Sequence, residues 1–94
     1  MSDLASLHLI VTGRVQGVYF RAFASRQAAK LGLTGYVRNL PGGDSVEIQA
    51  EGDRPKLEEL VEHLKIGPPG ARIEDIKTNW SEFTGIYSGF TIKY

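Results

Sequence analysis

Leu7-His8-Leu9-Ile10-Val11-Thr12-Gly13-Arg14-Val15-Gln16-Gly17-Val18-Tyr19-Phe20-Arg21-Ala22-Phe23-Ala24 changes its hydrophobic period halfway along. Before Gly13, Leu7, Leu9 and Val11 alternate with His8, Ile10 and Thr12, the two-residue repeat of a strand with one strongly buried face. From Phe20 the repeat lengthens, and Phe20, Phe23, Ala24, Ala28 and Leu31 fall on one helical stripe, with Arg26, Gln27 and Lys30 elsewhere. Gly32 follows where a left-handed helix C-cap favours a residue without Cβ. A strand therefore runs through a short glycine-bearing loop into a helix.

Outward from this corner the pattern repeats. Thr34–Asn39 and Ser45–Glu51 read as short strands, the second with Val46, Ile48 and Ala50 on one face and Glu47, Gln49 and Glu51 on the other. Leu40-Pro41-Gly42-Gly43-Asp44 between them has the composition of a hairpin loop. Asp53 is an N-cap residue type with Pro55 in the first turn behind it, and Leu57, Leu60, Val61 and Leu64 mark a second amphipathic helix that ends at Gly67-Pro68-Pro69-Gly70. Arg72–Trp80 reads as a strand in which Ile73 and Ile76 are out of phase, predicting a bulge or a late start. Phe90, Ile92 and Tyr94 form a last short strand, and Ser81–Gly89 has no decisive pattern. The order β-α-β-β-α-β with a short extra C-terminal strand predicts a ferredoxin-like α/β sandwich, two helices on one face of a mixed sheet.

Composition bounds the function. Ninety-four residues suit a single domain spanning 1–94, and 41% hydrophobic with 23% charged residues is an ordinary globular balance. No run approaches the ~18 apolar residues of a membrane span. The N-terminal Met1–Ser6 lacks a basic region and an apolar segment, so no secretory signal is expected. Absence of cysteine removes disulfides, thiolate nucleophiles and cysteine zinc sites. Eleven Lys and Arg against eleven Asp and Glu give zero net charge, which argues against a general nucleic-acid binder. The expectation is a small cytoplasmic monomer with neither nucleic acid nor membrane as a partner. The zero conceals a segregation: residues 1–43 carry a net +4 and residues 44–94 a net −4.

The loop Gly13–Tyr19 offers two readings. Two glycines four residues apart fit a plain tight turn, and they equally let successive backbone N–H groups converge on an anion at the positive end of the following helix. No Lys-Ser/Thr follows for a Walker loop, and the three-glycine dinucleotide spacing is missing. Arg21 sits in the first helical turn, where a cation is unfavourable unless an anion is bound beside it, and a guanidinium can clamp two phosphate oxygens. A solvated surface role is the alternative for Arg21, and Arg14 fits that role better. Asn39 ends its strand either as an ordinary turn residue or as a carboxamide that holds a water with its carbonyl and NH₂ together. His8 and His63 show no metal spacing, and Glu58, Glu59 and Glu62 read as a solvated helix face.

Gly13-Arg14-Val15-Gln16-Gly17-Val18-Tyr19-Phe20-Arg21 resembles the first acylphosphatase signature, G-x-V-x-G-V-x-F-R, at every specified position. Gly35-Tyr36-Val37-Arg38-Asn39 followed by Val46-Glu47 resembles the second, G-x-V-x-N-x-x-D-G-x-V-E, and the likeness extends through Gly67-Pro68-Pro69 and Trp80 to Phe90–Tyr94. Asn39 and Val46 stand seven positions apart where that pattern has six, an insertion in the hairpin loop. The resemblance implies hydrolysis of an acyl phosphate to a carboxylate and inorganic phosphate with no metal or organic cofactor. It implies that Arg21 binds the phosphate with the backbone amides of Val15, Gln16, Gly17, Val18, Tyr19 and Phe20, and that Asn39 positions the attacking water. Its alternative is a non-catalytic module that binds phosphate or carbamoyl phosphate with the same loop. An RNA-binding domain of similar topology lacks its aromatic third-strand motif, since Val46-Glu47-Ile48-Gln49-Ala50 stands there.

Overall fold

A computed structural model describes residues 3–94; Met1 and Ser2, and the part of the N-terminal signal reading that rests on them, lie outside the described residues. Strand β1 (Leu4–Arg14) leads to helix α1 (Phe20–Lys30), strands β2 (Thr34–Asn39) and β3 (Ser45–Asp53), helix α2 (Arg54–Ile66), and strands β4 (Arg72–Ser81) and β5 (Phe90–Lys93). The sheet order is β4-β1-β3-β2-β5, antiparallel throughout except for the parallel β2–β5 pair. This is the ferredoxin-like arrangement expected from the element order, with β5 added beside β2.

The two hydrophobic periods meet in one core. Leu7, Leu9, Val11, Val37, Val46, Ile48 and Ala50 point from the sheet toward the helices and are fully buried. Phe20, Ala24 and Ala28 of α1 and Leu57, Leu60 and Leu64 of α2 close over them, while Phe23, Leu31 and Val61 flank the core half-buried. Each large side chain removed from water in this way stabilises the fold by about 1.5–3 kcal/mol. Helix α1 stops as expected: Gly32 takes φ +72°, the Gly32 N–H donates to the Ala29 carbonyl, and the Leu33 N–H donates to the Ala28 carbonyl. Asp53 occupies the N-cap position of α2, but its side chain makes no capping hydrogen bond.

The phase slip in β4 is a bulge. Thr12 pairs with Asp75 and Gly13 with Ile73, leaving Glu74 as the extra residue, so Ile73 and Ile76 both pack against the core. Gly13 sits where β1 meets this bulge at φ +138°, and a Cβ there would lie 2.0 Å from the Arg72 carbonyl oxygen. The first glycine of the loop therefore serves strand packing.

Glu51 departs from the expected open face. It points to the side of the sheet opposite the helices, yet it is 1% exposed. The patternless segment after β4 crosses over it: the Thr84 N–H and hydroxyl donate to one carboxylate oxygen (3.1 and 2.8 Å), and the Gly85 N–H donates to the other at 3.0 Å. Burial pushes the Glu51 carboxyl upward in pKa, but these donors outweigh it and hold the group below the ordinary carboxylate range.

Candidate active site

The loop between β1 and α1 is pinned at both ends, because Val15 and Phe20 are each only 1% exposed. Between them the backbone is held away from ordinary pairing, and no backbone carbonyl among the described residues accepts a hydrogen bond from the N–H groups of Val15–Tyr19. Tyr19 adopts φ 60°, ψ 29°, a left-handed conformation that costs a non-glycine residue roughly 1–2 kcal/mol. Its carbonyl accepts from the Phe23 N–H at 3.0 Å, so the strained residue also starts the helix. Strain of this kind collects where a backbone is shaped for a ligand.

Arg21 leaves the first turn of α1, which carries no acidic residue, and reaches β5. Its Nη1 donates to the Lys93 carbonyl at 3.1 Å, and its guanidinium carbon lies 4.6 Å from the centre of the Tyr94 ring. Strand β5 is registered on β2 through Gly35–Phe90, Val37–Ile92 and Arg38–Lys93, so the backbone that holds Arg21 runs beside the strand that ends at Asn39. The result is a cleft of about 410 Å³ lined by Val15, Gly17, Tyr19, Phe20, Arg21 and Ala22 on one side and by Asn39, Ile92 and Tyr94 on the other. Of the residues singled out in the sequence, Val15, Gly17, Tyr19, Phe20, Arg21 and Asn39 meet in this cleft. Gln16 and Val18 do not line it. Val18 packs half-buried against the core, and the Gln16 side chain turns to the β2–β3 hairpin.

Asn39 remains directly opposite Val46, so the longer hairpin loop bulges beyond it without disturbing the pair. On the sheet face away from the helices, Glu47 ties the neighbouring strands together. His8 Nε2 donates to its Oε2 at 2.8 Å, and the Arg38 guanidinium and the Tyr36 hydroxyl (3.3 Å) donate to Oε1. Burial pushes the Glu47 carboxyl up, but its hydrogen bonds with His8 and Arg38 outweigh that and hold it low. Tyr36 is pushed up by burial and by the adjacent Glu47 charge. Lys93 Nζ sits 4.0 Å from the centre of the Tyr36 ring, joining β5 to the same network. No group of three or more His, Cys, Asp or Glu among the described residues is placed to hold a metal ion.

Sequence reasoning missed Ile92 and Tyr94 as cleft residues. Their alternation with Thr91 and Lys93 gave the face they share, but only the parallel docking of β5 on β2 brings that face to Arg21.

Comparison with known proteins agrees over nearly the whole chain. The acylphosphatase family model matches residues 7–92. An acylphosphatase of Dehalococcoides mccartyi is 50% identical over 88 residues, covering 94% of this chain and 97% of that protein. The crystal structure of acylphosphatase from Bacillus subtilis superimposes with a TM-score of 0.92 at 40% identity, covering 96% of this chain and 99% of that one. HypF from T. kodakarensis contains a similar region, with a TM-score of 0.83 and 37% identity over 96% of this chain but 12% of its own. A family match from the first strand to the last, on a fold shared at high overlap, places the chain by descent as well as by shape: it belongs to the acylphosphatase family, hydrolases that act on acid anhydrides.

Proposed function

We propose that the cleft hydrolyses acyl phosphates with Arg21 and the loop amides on the phosphate and Asn39 on the water. The observation that carries this reading is the convergence of Arg21, Asn39 and the loop residues Val15, Gly17 and Tyr19 on one cleft, beside loop amides that no backbone carbonyl among the described residues pairs. Unpaired N–H groups at the start of α1 and a guanidinium fixed by the Lys93 carbonyl suit the equatorial oxygens of a transferring phosphoryl group. The carboxamide of Asn39 orients water for in-line attack on phosphorus. As the new P–O bond forms, the bond to the acyl oxygen breaks, the carboxylate leaves with its electron pair, and the water proton passes to a phosphate oxygen of the substrate. A carboxylate is a good leaving group, so positioning and charge stabilisation suffice and no protein acid is required.

In folded protein, Arg21→Ala should lower kcat/KM for acetyl phosphate or benzoyl phosphate by about 100-fold or more and should weaken competitive inhibition by inorganic phosphate. Asn39→Ala should lower kcat by a similar factor while leaving phosphate inhibition near its wild-type value. Turnover retained by either folded variant, assayed with EDTA present, removes that residue from the mechanism. The same reading has residues 1–94 act as one domain, as a cytoplasmic monomer, a state that size-exclusion chromatography with light scattering tests directly. Among the described residues no helix is long and apolar enough to cross a membrane. The likeness to a 12% part of full-length HypF, whose structure is of a phosphate- and nucleotide-bound form, motivates one competing reading: a module that binds phosphate without turnover. Phosphate binding by a chain inert toward every acyl phosphate in a panel would establish it.

A further inference from the structure

The β1–α1 loop and the β2–β3 hairpin next to Asn39 meet beside the cleft, and one side chain of the loop hydrogen-bonds across to the hairpin. Gln16 Nε2 donates to the Leu40 carbonyl and to the Ser45 carbonyl, both at 2.9 Å. Two carbonyl acceptors fix the orientation of the carboxamide, since only its NH₂ end has hydrogens to give. The targets are specific: Leu40 directly follows Asn39, and Ser45 directly precedes Val46, the residue paired across the strands with Asn39. The Ser45 carbonyl also accepts from the Leu40 N–H at 3.0 Å, and the Asp44 carbonyl accepts from the Gly13 N–H at 2.9 Å. The exposed loop Pro41–Asp44 is thus gripped at both of its ends from the β1–α1 corner, and two of the three inter-loop bonds come from Gln16.

We infer that Gln16 is a positioning residue whose side chain holds the β2–β3 hairpin, and with it Asn39, at a fixed distance from the phosphate-binding loop. The inference rests on the reading that Asn39 orients the water. Phosphate is held by groups on the Gln16 side of the clamp, namely Arg21 and the loop amides, so opening the clamp leaves phosphate affinity intact. What it disturbs is the alignment of water with phosphorus, where a displacement of about 1 Å costs on the order of 100-fold in rate.

The test separates these quantities. Gln16→Met keeps the volume and removes both donors; Gln16→Ala supplies a second background should the thioether repack. In either folded variant kcat for acetyl phosphate should fall by about 10- to 100-fold, while the inhibition constant for inorganic phosphate stays within about twofold of wild type. The Leu40 amide, which shares the Ser45 carbonyl, should exchange with solvent faster. A wild-type kcat in a folded variant overturns the inference, as does a parallel loss of kcat and phosphate affinity, which would make Gln16 a shaper of the phosphate loop alone. Asn39→Ala measured alongside distinguishes the two levels. If that variant turns over normally, the water-positioning reading fails first. If it is inactive while Gln16→Met is not, only the clamp fails.

Discussion

Gly13 and Gly17 stand in one motif but do different work. Gly17 lines the cleft, whereas Gly13 lets β1 press against the bulge in β4. Gly13→Ala would drive a Cβ to 2.0 Å from the Arg72 carbonyl oxygen and 2.9 Å from the Glu74 nitrogen, at a φ that side chains rarely adopt. It should destabilise the protein by about 3 kcal/mol or more, read as a lowered urea midpoint, with phosphate still bound by the folded fraction. Unchanged stability would mean that the bulge relaxes freely around the new methyl. At this scale the sequence was informative where chemistry is local: Arg21 stood out because a cation in a first helical turn is anomalous, whereas Asn39, closing a strand, read equally as a turn residue and was singled out only by the motif resemblance. The Gln16 clamp was not legible, because its partners are backbone carbonyls of a distant loop, and any residue supplies a carbonyl.

Among the elements, the strands and helices announced themselves through burial period, and the bulge in β4 through a broken one. The segment from Glu82 to Gly89 did not, since what orders it is a set of contacts with distant strands: the Glu51 carboxylate, the Tyr36 ring beside Tyr87 and the Gly35 N–H donating to the Gly89 carbonyl. Glu51 reads as an outward residue by alternation, yet its carboxylate anchors this segment by accepting three hydrogen bonds, two from Thr84 and one from Gly85. Glu51→Gln replaces one acceptor oxygen by an NH₂ group that faces donors, and it should cost about 1–3 kcal/mol at pH 7 and speed amide exchange at Thr84 and Gly85. The pH dependence follows from the sign of the shift. The folded-state pKa of Glu51 is depressed, so its contribution is full above the unfolded carboxylate value near 4.3 and is lost as pH falls through the lower folded value. The stability gap between wild type and Glu51→Gln should therefore narrow below about pH 4. A gap that stays constant down to pH 2.5 would assign the effect to shape and not to the charge.

Across the whole molecule, the basic first half and acidic second half do not form opposite poles. The sheet order β4-β1-β3-β2-β5 interleaves β1 and β2 from the first half with β3, β4 and β5 from the second. Salt links such as Arg38–Glu47 then neutralise charge across the halves, and the basic excess persists mainly on α1, through Arg21, Arg26 and Lys30. Net charge was readable from the sequence, but its spatial mixing needed the topology. With zero net charge and the two halves interleaved in the sheet, kcat/KM for acetyl phosphate should fall by less than about threefold between 10 and 150 mM NaCl. A tenfold fall would reveal steering by a dipole that the interleaved sheet should have cancelled.

The contact between Arg21 and the Lys93 carbonyl spans 72 positions of the chain. Synthesis makes the β1–α1 loop early and the strand that braces Arg21 late, so a nascent chain stalled before β5 can possess every residue of the loop, Arg21 and Asn39 without the contact that fixes the guanidinium. On the proposed reading, in which Arg21 holds the phosphate, turnover would depend on β5 being docked beside β2, and chains in which that strand is undocked would be silent toward acyl phosphate.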